Sequence, residues 1–144
     1  METKARCKSF YQESRADKLQ KVEVTRRSAI ATYKIEDLYL MYIAAYLPTN
    51  TNSNEGFNTA LMDVRQAIVG AKRKYKNFPF IMAGDLNIDQ RHDEERRSIF
   101  KRFLRDVEGI HWVPKYPSYE YQHWKTRSHL DGAVISDNVV VMSI

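Results

Sequence analysis

Asp85 and Asn87 stand two residues apart at the point where an apolar run, Phe78-Pro79-Phe80-Ile81-Met82-Ala83, gives way to Gly84. A carboxylate accepts a proton or hydrogen bonds and a carboxamide donates to an anionic oxygen, so the pair could serve one concavity around a charged substrate. The same residues also suit a plainer arrangement, an Asx-type turn in which both side chains satisfy only the local backbone. Two further polar residues end or interrupt apolar segments: Tyr46 in AAYLPTN and Asp131 in SHLDGAVIS. An acid inside an apolar strand is costly unless it is hydrogen-bonded, so Asp131 is expected to have a partner close by.

The elements around these residues follow from periodicity. The run over 78–83 predicts a buried strand, and Gly84 lets the backbone turn without a Cβ penalty, which puts Asp85 and Asn87 at the strand's C-terminal end. Leu38–Tyr46, LYLMYIAAY, is apolar at both phases of a two-residue period and predicts a strand packed on each side, closed by Pro48. Between these strands, Phe57, Ala60, Leu61, Val64, Ala67, Ile68, Ala71 and Tyr75 recur at three and four over 56–76, the stripe of an amphipathic helix. Asn52 and Glu55 are spaced for a capping box at its start. Lys72, Arg73, Lys74 and Lys76 at its end are explained by favourable cation placement at a helix C-terminus.

Upstream, Val22 and Val24 alternate with polar neighbours, and Ala29, Ala31, Tyr33 and Ile35 repeat at period two, predicting one or two strands and a hairpin at Glu36-Asp37. A second helix is predicted over 93–107 with Ile99, Phe100, Phe103, Leu104 and Val107 inward and Gly109 as its stop. Arg96, Arg97 and Arg102 then belong to a solvated, mixed-charge face. Residues 110–127 read as a loop whose aromatic and basic side chains suit either base stacking or closure of the core. Residues 130–136 and 139–144 read as strands. Residues 1–20 form a polar, poorly anchored terminus and 21–144 the domain, an α/β layered arrangement.

Composition sets the outer bounds. A chain of 144 residues with 43% hydrophobic content has room for one domain and a real core. The net charge of +5 and pI near 9.3 lean toward a polyanionic partner, mildly, because 18 acids are interspersed with 23 bases. One cysteine, Cys7, excludes an internal disulfide framework and a multi-cysteine zinc site. No apolar run is long enough to span a bilayer and no signal-peptide core is present, so an intracellular location, nucleus or cytoplasm, is expected.

Taken in order, Tyr46-Leu47-Pro48, the helix, Gly84-Asp85-Leu86-Asn87, the second helix, Tyr116-Pro117-Ser118-Tyr119 and Ser128-His129-Leu130-Asp131 resemble the endonuclease/exonuclease/phosphatase superfamily of deoxyribonuclease-like and apurinic endonuclease-like enzymes. The spacing looks closest to the endonuclease domains of non-LTR retrotransposons. The resemblance implies a partial four-layer α/β sandwich, two mostly antiparallel sheets face to face with outer helices. It implies Mg²⁺-assisted phosphodiester hydrolysis with DNA as the partner. Asp85 would then orient or deprotonate the attacking water, and Asn87 would contact the scissile phosphate. Tyr46 would hydrogen-bond the phosphate or its developing charge, and Asp131 would hold a catalytic histidine.

The departures from the family pattern matter as much. The family's early strand Asn and metal-binding helix Glu have no counterpart among the first twenty residues, and Gln12-Glu13 sits too close to the later strands to be that pair. The family's closing Ser-Asp-His is matched only by Ser136-Asp137-Asn138, without the histidine. His92, His111 and His123 read as surface or loop residues, and His129 precedes the strand of Asp131. Metal ligands are therefore unassigned. The expectation is an incomplete copy of a Mg²⁺-dependent, DNA endonuclease-like phosphodiesterase of reduced activity. A non-catalytic nucleic-acid- or protein-binding remnant and a small-phosphoester phosphatase are the alternatives.

Overall fold

In a computed structural model, residues 18–49, 53–75, 78–88, 93–113, 119–121, 126–128 and 131–139 are described. Residues 1–17, the Asn52 cap, Lys76 and all but the first residue of the strand expected over 139–144 lie outside them. The strands are β1 (Leu19–Val24), β2 (Ser28–Ile35), β3 (Leu38–Tyr46), β4 (Phe80–Asp85), β5 (Gly109–Trp112), β6 (Tyr119–Tyr121), β7 (Thr126–Ser128) and β8 (Asp131–Ser136). Among the described residues there are two helices, α1 (Glu55–Lys74) and α2 (Glu94–Val107).

Six strands form one sheet in the order β1-β2-β3-β4-β8-β5, and β6 pairs with β7 in a separate hairpin. All pairs in the large sheet are antiparallel except β3 with β4, the pair joined by α1. A parallel pair needs a crossover of this length, and the long amphipathic stripe supplies it. The α/β class expected from the sequence is therefore present, as a mixed sheet with helices on one side. The hairpin at Glu36-Asp37 is also present, with Glu36 at φ 56° between Ile35 and its partner Leu38.

Several local expectations change. The strand region begins at Leu19, inside the stretch expected to be loose, and the segment expected as loop over 110–127 contains β5, β6 and β7. The stop of α2 is Glu108, which takes the left-handed conformation at φ 55°. Gly109 instead meets a packing demand, because a Cβ there would lie 2.7 Å from Val134 Cγ1. The N-cap of α1 is Asn54, whose side chain makes no capping bond. That side chain is committed elsewhere, to α2.

The core lies between the helices and one face of the sheet. Ile30, Met41, Ile43, Phe80, Met82 and Val134 come from the strands, Phe57, Leu61, Val64 and Ile68 from α1, and Phe100, Phe103 and Val107 from α2. Arg65 Nε donates to Asp106 Oδ2 at 2.9 Å and Lys72 Nζ to the Val107 carbonyl at 2.8 Å, so the two helices are pinned side by side. The basic end of α1 thus caps its neighbour's C-terminus as well as its own dipole.

The other face of the sheet is uncovered among the described residues. Along β3, Met41, Ile43 and Ala45 are buried while Tyr42, Ala44 and Tyr46 are exposed. The same face carries Val24, 76% exposed, and, through the β5–β8 register, Ile110 and Trp112, which is 50% exposed. The two-sided apolar character of Leu38–Tyr46 is thus answered by packing on one side only. An apolar face of this extent binds hydrophobic dyes. The 144-residue chain is expected to enhance ANS fluorescence, and Val24→Glu with Trp112→Lys to reduce it at unchanged far-UV circular dichroism; full enhancement in the double variant would refute this assignment of the face.

Candidate active site

Tyr46, Asp85 and Asp131 occupy one row across three neighbouring strands. Tyr46 of β3 pairs in register with Asp85 of β4, and Asp85 pairs with Asp131 of β8. Because successive residues on a strand alternate faces, one register row belongs to one face, here the open one. The sequence places these residues 39 and 46 positions apart, and the sheet brings them to adjacent strands. The strand acid Asp131 is therefore opposite another acid.

Gly84 permits the row. Its φ is +142°, and a Cβ on it would stand 2.0 Å from the carbonyl oxygen of Ala45, its register partner on β3. Only a residue with no side chain allows the two strands to approach this closely just before Asp85. After Asp85 the chain turns at once. Asp85 Oδ1 accepts from the Asn87 N–H at 3.1 Å, and Asn87 is itself left-handed at φ 47°. The Asx-type turn is therefore real.

The loop after β3 is fastened to the same turn. Leu47 N–H donates to the Asp85 carbonyl at 2.9 Å, and Asn87 Nδ2 donates to the Leu47 carbonyl at 2.6 Å. Leu47, Leu86 and Ile88, each at most 2% exposed, anchor both loops in the core. The Asn87 carboxamide is buried and one of its N–H groups is spent on Leu47. Tyr46 is half exposed, with the Arg27 guanidinium 5.6 Å from its ring centroid and its backbone N–H donating to the Arg27 carbonyl. Arg27 thus brings a cation to the row, which no periodicity in the sequence signals.

Arg96 departs most from its expected place. It was expected on a solvated helix face, yet it is 2% exposed, one of the largest fully buried side chains. Its Nη1 donates to the carbonyls of Pro48 and Asn87, both at 2.7 Å, and Nε donates to Asn54 Oδ1 at 3.0 Å. The guanidinium also lies 4.1 Å from the Phe57 ring centroid. Burial holds its pKa below the ordinary arginine value, with the Asp93 charge opposing that shift. One cue was available: Asp93 and Arg96 start the helix, where Asp93 Oδ1 accepts the Arg96 N–H at 2.9 Å, and a first-turn residue on the inner side points back into the loops.

His111 is also not a surface or loop residue. It sits on β5 opposite Val134, on the helix-covered face, with its ring edge-on to Phe100 at 4.9 Å. It therefore lies across the sheet from the row of Tyr46 and Asp85. His92, His123 and His129 fall outside the described residues. Among the described residues no three His, Cys, Asp or Glu side chains cluster in a way that could hold a metal ion. Among the described residues no helix is long and apolar enough to cross a membrane.

Two measurements follow from this geometry. Gly84→Ala is expected to cost about 3 kcal/mol through backbone strain and the clash with Ala45, read as a fall of roughly 10 °C in Tm; an unchanged Tm would contradict the close approach. Burial keeps the His111 pKa below its ordinary value near 6.5, so the unfolded chain takes up the proton first as pH falls. Stability should be full above about pH 6.5 and decline below it until the folded-state pKa is passed. Unfolding followed between pH 7.5 and 5.5 checks this, and His111→Gln should flatten the dependence.

No family model matches the sequence, and no sequence relative was found among curated proteins. Solved structures of similar fold were found. The human Nocturnin catalytic domain with bound sulfate superposes with a TM-score of 0.59 at 17% identity, covering 83% of this chain and 48% of that one. An endonuclease/exonuclease/phosphatase family protein from Bacteroides thetaiotaomicron aligns at TM-score 0.52 and 16% identity, covering 76% of this chain and 41% of that one. A Staphylococcus aureus beta toxin variant with bound magnesium ions aligns at 0.51 and 12%, covering 81% and 44%. The chain spans about half the length of these structures.

Proposed function

With the endonuclease/exonuclease/phosphatase fold as its framework, we propose that the chain carries one half of the site of a Mg²⁺-dependent phosphodiester hydrolase acting on DNA. The observation that carries this reading is the register row of Tyr46, Asp85 and Asp131, with the Asn87 turn at its end. All four residues collect where the parallel strands β3 and β4 finish, the place where α/β sheets gather ligand-binding loops.

In this reading Asp85 orients and deprotonates the attacking water. The Asn87 carboxamide, one N–H of which is held by the Leu47 carbonyl, donates its other N–H to a phosphate oxygen. Tyr46 donates its hydroxyl to the same phosphate, and Arg27 adds positive charge beside it, so negative charge developing on the phosphate meets preformed donors. Asp131, facing Asp85 across the β4–β8 ladder, holds the imidazole of a general acid.

The similar beta toxin structure carries magnesium ions, which supports a divalent requirement. The described residues do not by themselves complete such a site, so no step is routed through the ion. When bound, it would supply Lewis-acid stabilisation of the phosphate charge. The net charge of +5 and the cation at the row favour DNA over a small phosphoester.

Nicking of supercoiled plasmid in Mg²⁺ tests the reading. The 144-residue chain is expected to turn over several orders of magnitude more slowly than a complete enzyme of this fold, because the groups of such a site act as a unit. Asp85→Asn and Asn87→Ala are each expected to lower the residual rate by about a hundredfold or more. Rates in both variants equal to the parent would refute the assignment, and parent turnover matching a complete enzyme would refute the half-site.

A further inference from the structure

The guanidinium of Arg96 is buried, yet no carboxylate hydrogen-bonds it among the described residues. Its hydrogen-bond partners are neutral, two loop carbonyls and one carboxamide oxygen, beside the face of Phe57, and the Asp93 charge acts on it without a hydrogen bond to the guanidinium. Its Nη2 has no hydrogen-bond partner there at all. As a source of stability this is a poor arrangement, since burying a charge against neutral acceptors is costly and an apolar side chain of similar size packs at least as well. What the arrangement does provide is geometric. The planar fork sets Pro48, in the loop after β3, and Asn87, in the turn after β4, at fixed positions relative to each other, because one nitrogen binds both carbonyls at 2.7 Å.

The fork itself is held from two sides. Nε is fixed by Asn54 Oδ1, and Asn54 Nδ2 donates to Glu95 Oε2 at 2.9 Å, so the start of α1 and the start of α2 are joined through the same carboxamide. The loss of Asn54 as a conventional cap is thereby explained: its side chain is used between helices. Four chain segments, the ends of β3 and β4 and the beginnings of α1 and α2, converge on one side chain.

We infer that Arg96 is the positioning residue of the site, tying the Tyr46 loop to the Asp85-Asn87 turn so that the groups on both loops address one phosphate. The catalytic purpose rests on the function proposed above; the mechanical tie does not. Lysine cannot substitute, because a single ammonium at the end of a flexible stem does not hold two carbonyls and a carboxamide in one plane.

Amide hydrogen exchange on the whole chain tests the tie. The Asn87 and Leu47 amides, bonded to Asp85 Oδ1 and the Asp85 carbonyl, report the two loops, and the Val64 and Ile68 amides report the body of α1. In Arg96→Met the two loop amides should exchange about tenfold faster or more while Val64 and Ile68 keep their protection, and Arg96→Lys should not restore the loops. Asn54→Ala keeps the cation and removes one acceptor, so it carries the test if Arg96→Met does not fold; it should speed the same two amides severalfold.

Wild-type protection of Asn87 and Leu47 in these variants, or an equal rise across α1, overturns the inference. In the nicking assay, Arg96→Met should lower kcat with KM little changed. If Asn87→Ala leaves nicking untouched while Arg96→Met loosens the loops, the hydrolase reading falls and the tie stands. If nicking falls in Arg96→Met with the loops still protected, the tie falls.

Discussion

The placement of the candidate site depends on the closeness of β3 and β4. These two strands are the parallel pair of an otherwise antiparallel sheet, so both end at the same edge and both release their loops in the same direction. The contact is made possible at Gly84, where the Ala45 carbonyl occupies the space a side chain would need. From that contact follow the bond of Leu47 to Asp85, the turn at Asn87, and the shared attachment of both loops to Arg96. A slightly wider strand spacing would separate Pro48 from Asn87 and leave the guanidinium without a common point of attachment.

The two faces of the sheet have opposite fates. The helix-covered face is closed by aromatic and aliphatic side chains from both helices, and few of its polar groups are fully buried among the described residues. Ser136 is a buried exception, and its hydroxyl accepts the Phe80 N–H at 3.0 Å, so the polar atom is satisfied where the strand begins. The open face holds apolar residues from its β1 edge to its β5 edge and, at one end, the row of Tyr46, Asp85 and Asp131. The similar solved structures are about twice as long. The six-stranded sheet therefore presents an apolar surface and the polar row on the same side.

Much of this was legible in the residues. The stripe from Phe57 to Tyr75, the run ending at Gly84 and the alternation of β2 each carry a period that only one secondary structure satisfies, and each element appears where the period puts it. The short strands β5, β6 and β7 were not legible, because three or four residues are too few to display a period, and what makes them strands is a neighbour: β8 for β5, and each other for β6 and β7. Arg96 was misread for a related reason. Helical periodicity assigns a charged residue among charged residues to the solvent side, and the first-turn position of Arg96 hints only at an inward side chain, not at the carbonyls of residues 48 and 87 that converge on it.

By itself the sequence determined which residue types are available for chemistry, their order along the chain, and the α/β alternation of the elements that carry them, because these follow from side-chain chemistry and local period. Tertiary structure alone decided that Tyr46, Asp85 and Asp131 share one row, that Asn87 closes a turn on Asp85 while reaching Leu47, and that a buried arginine joins the two loops. Those are matters of register and of contacts between residues dozens of positions apart, and a local pattern carries no information about either.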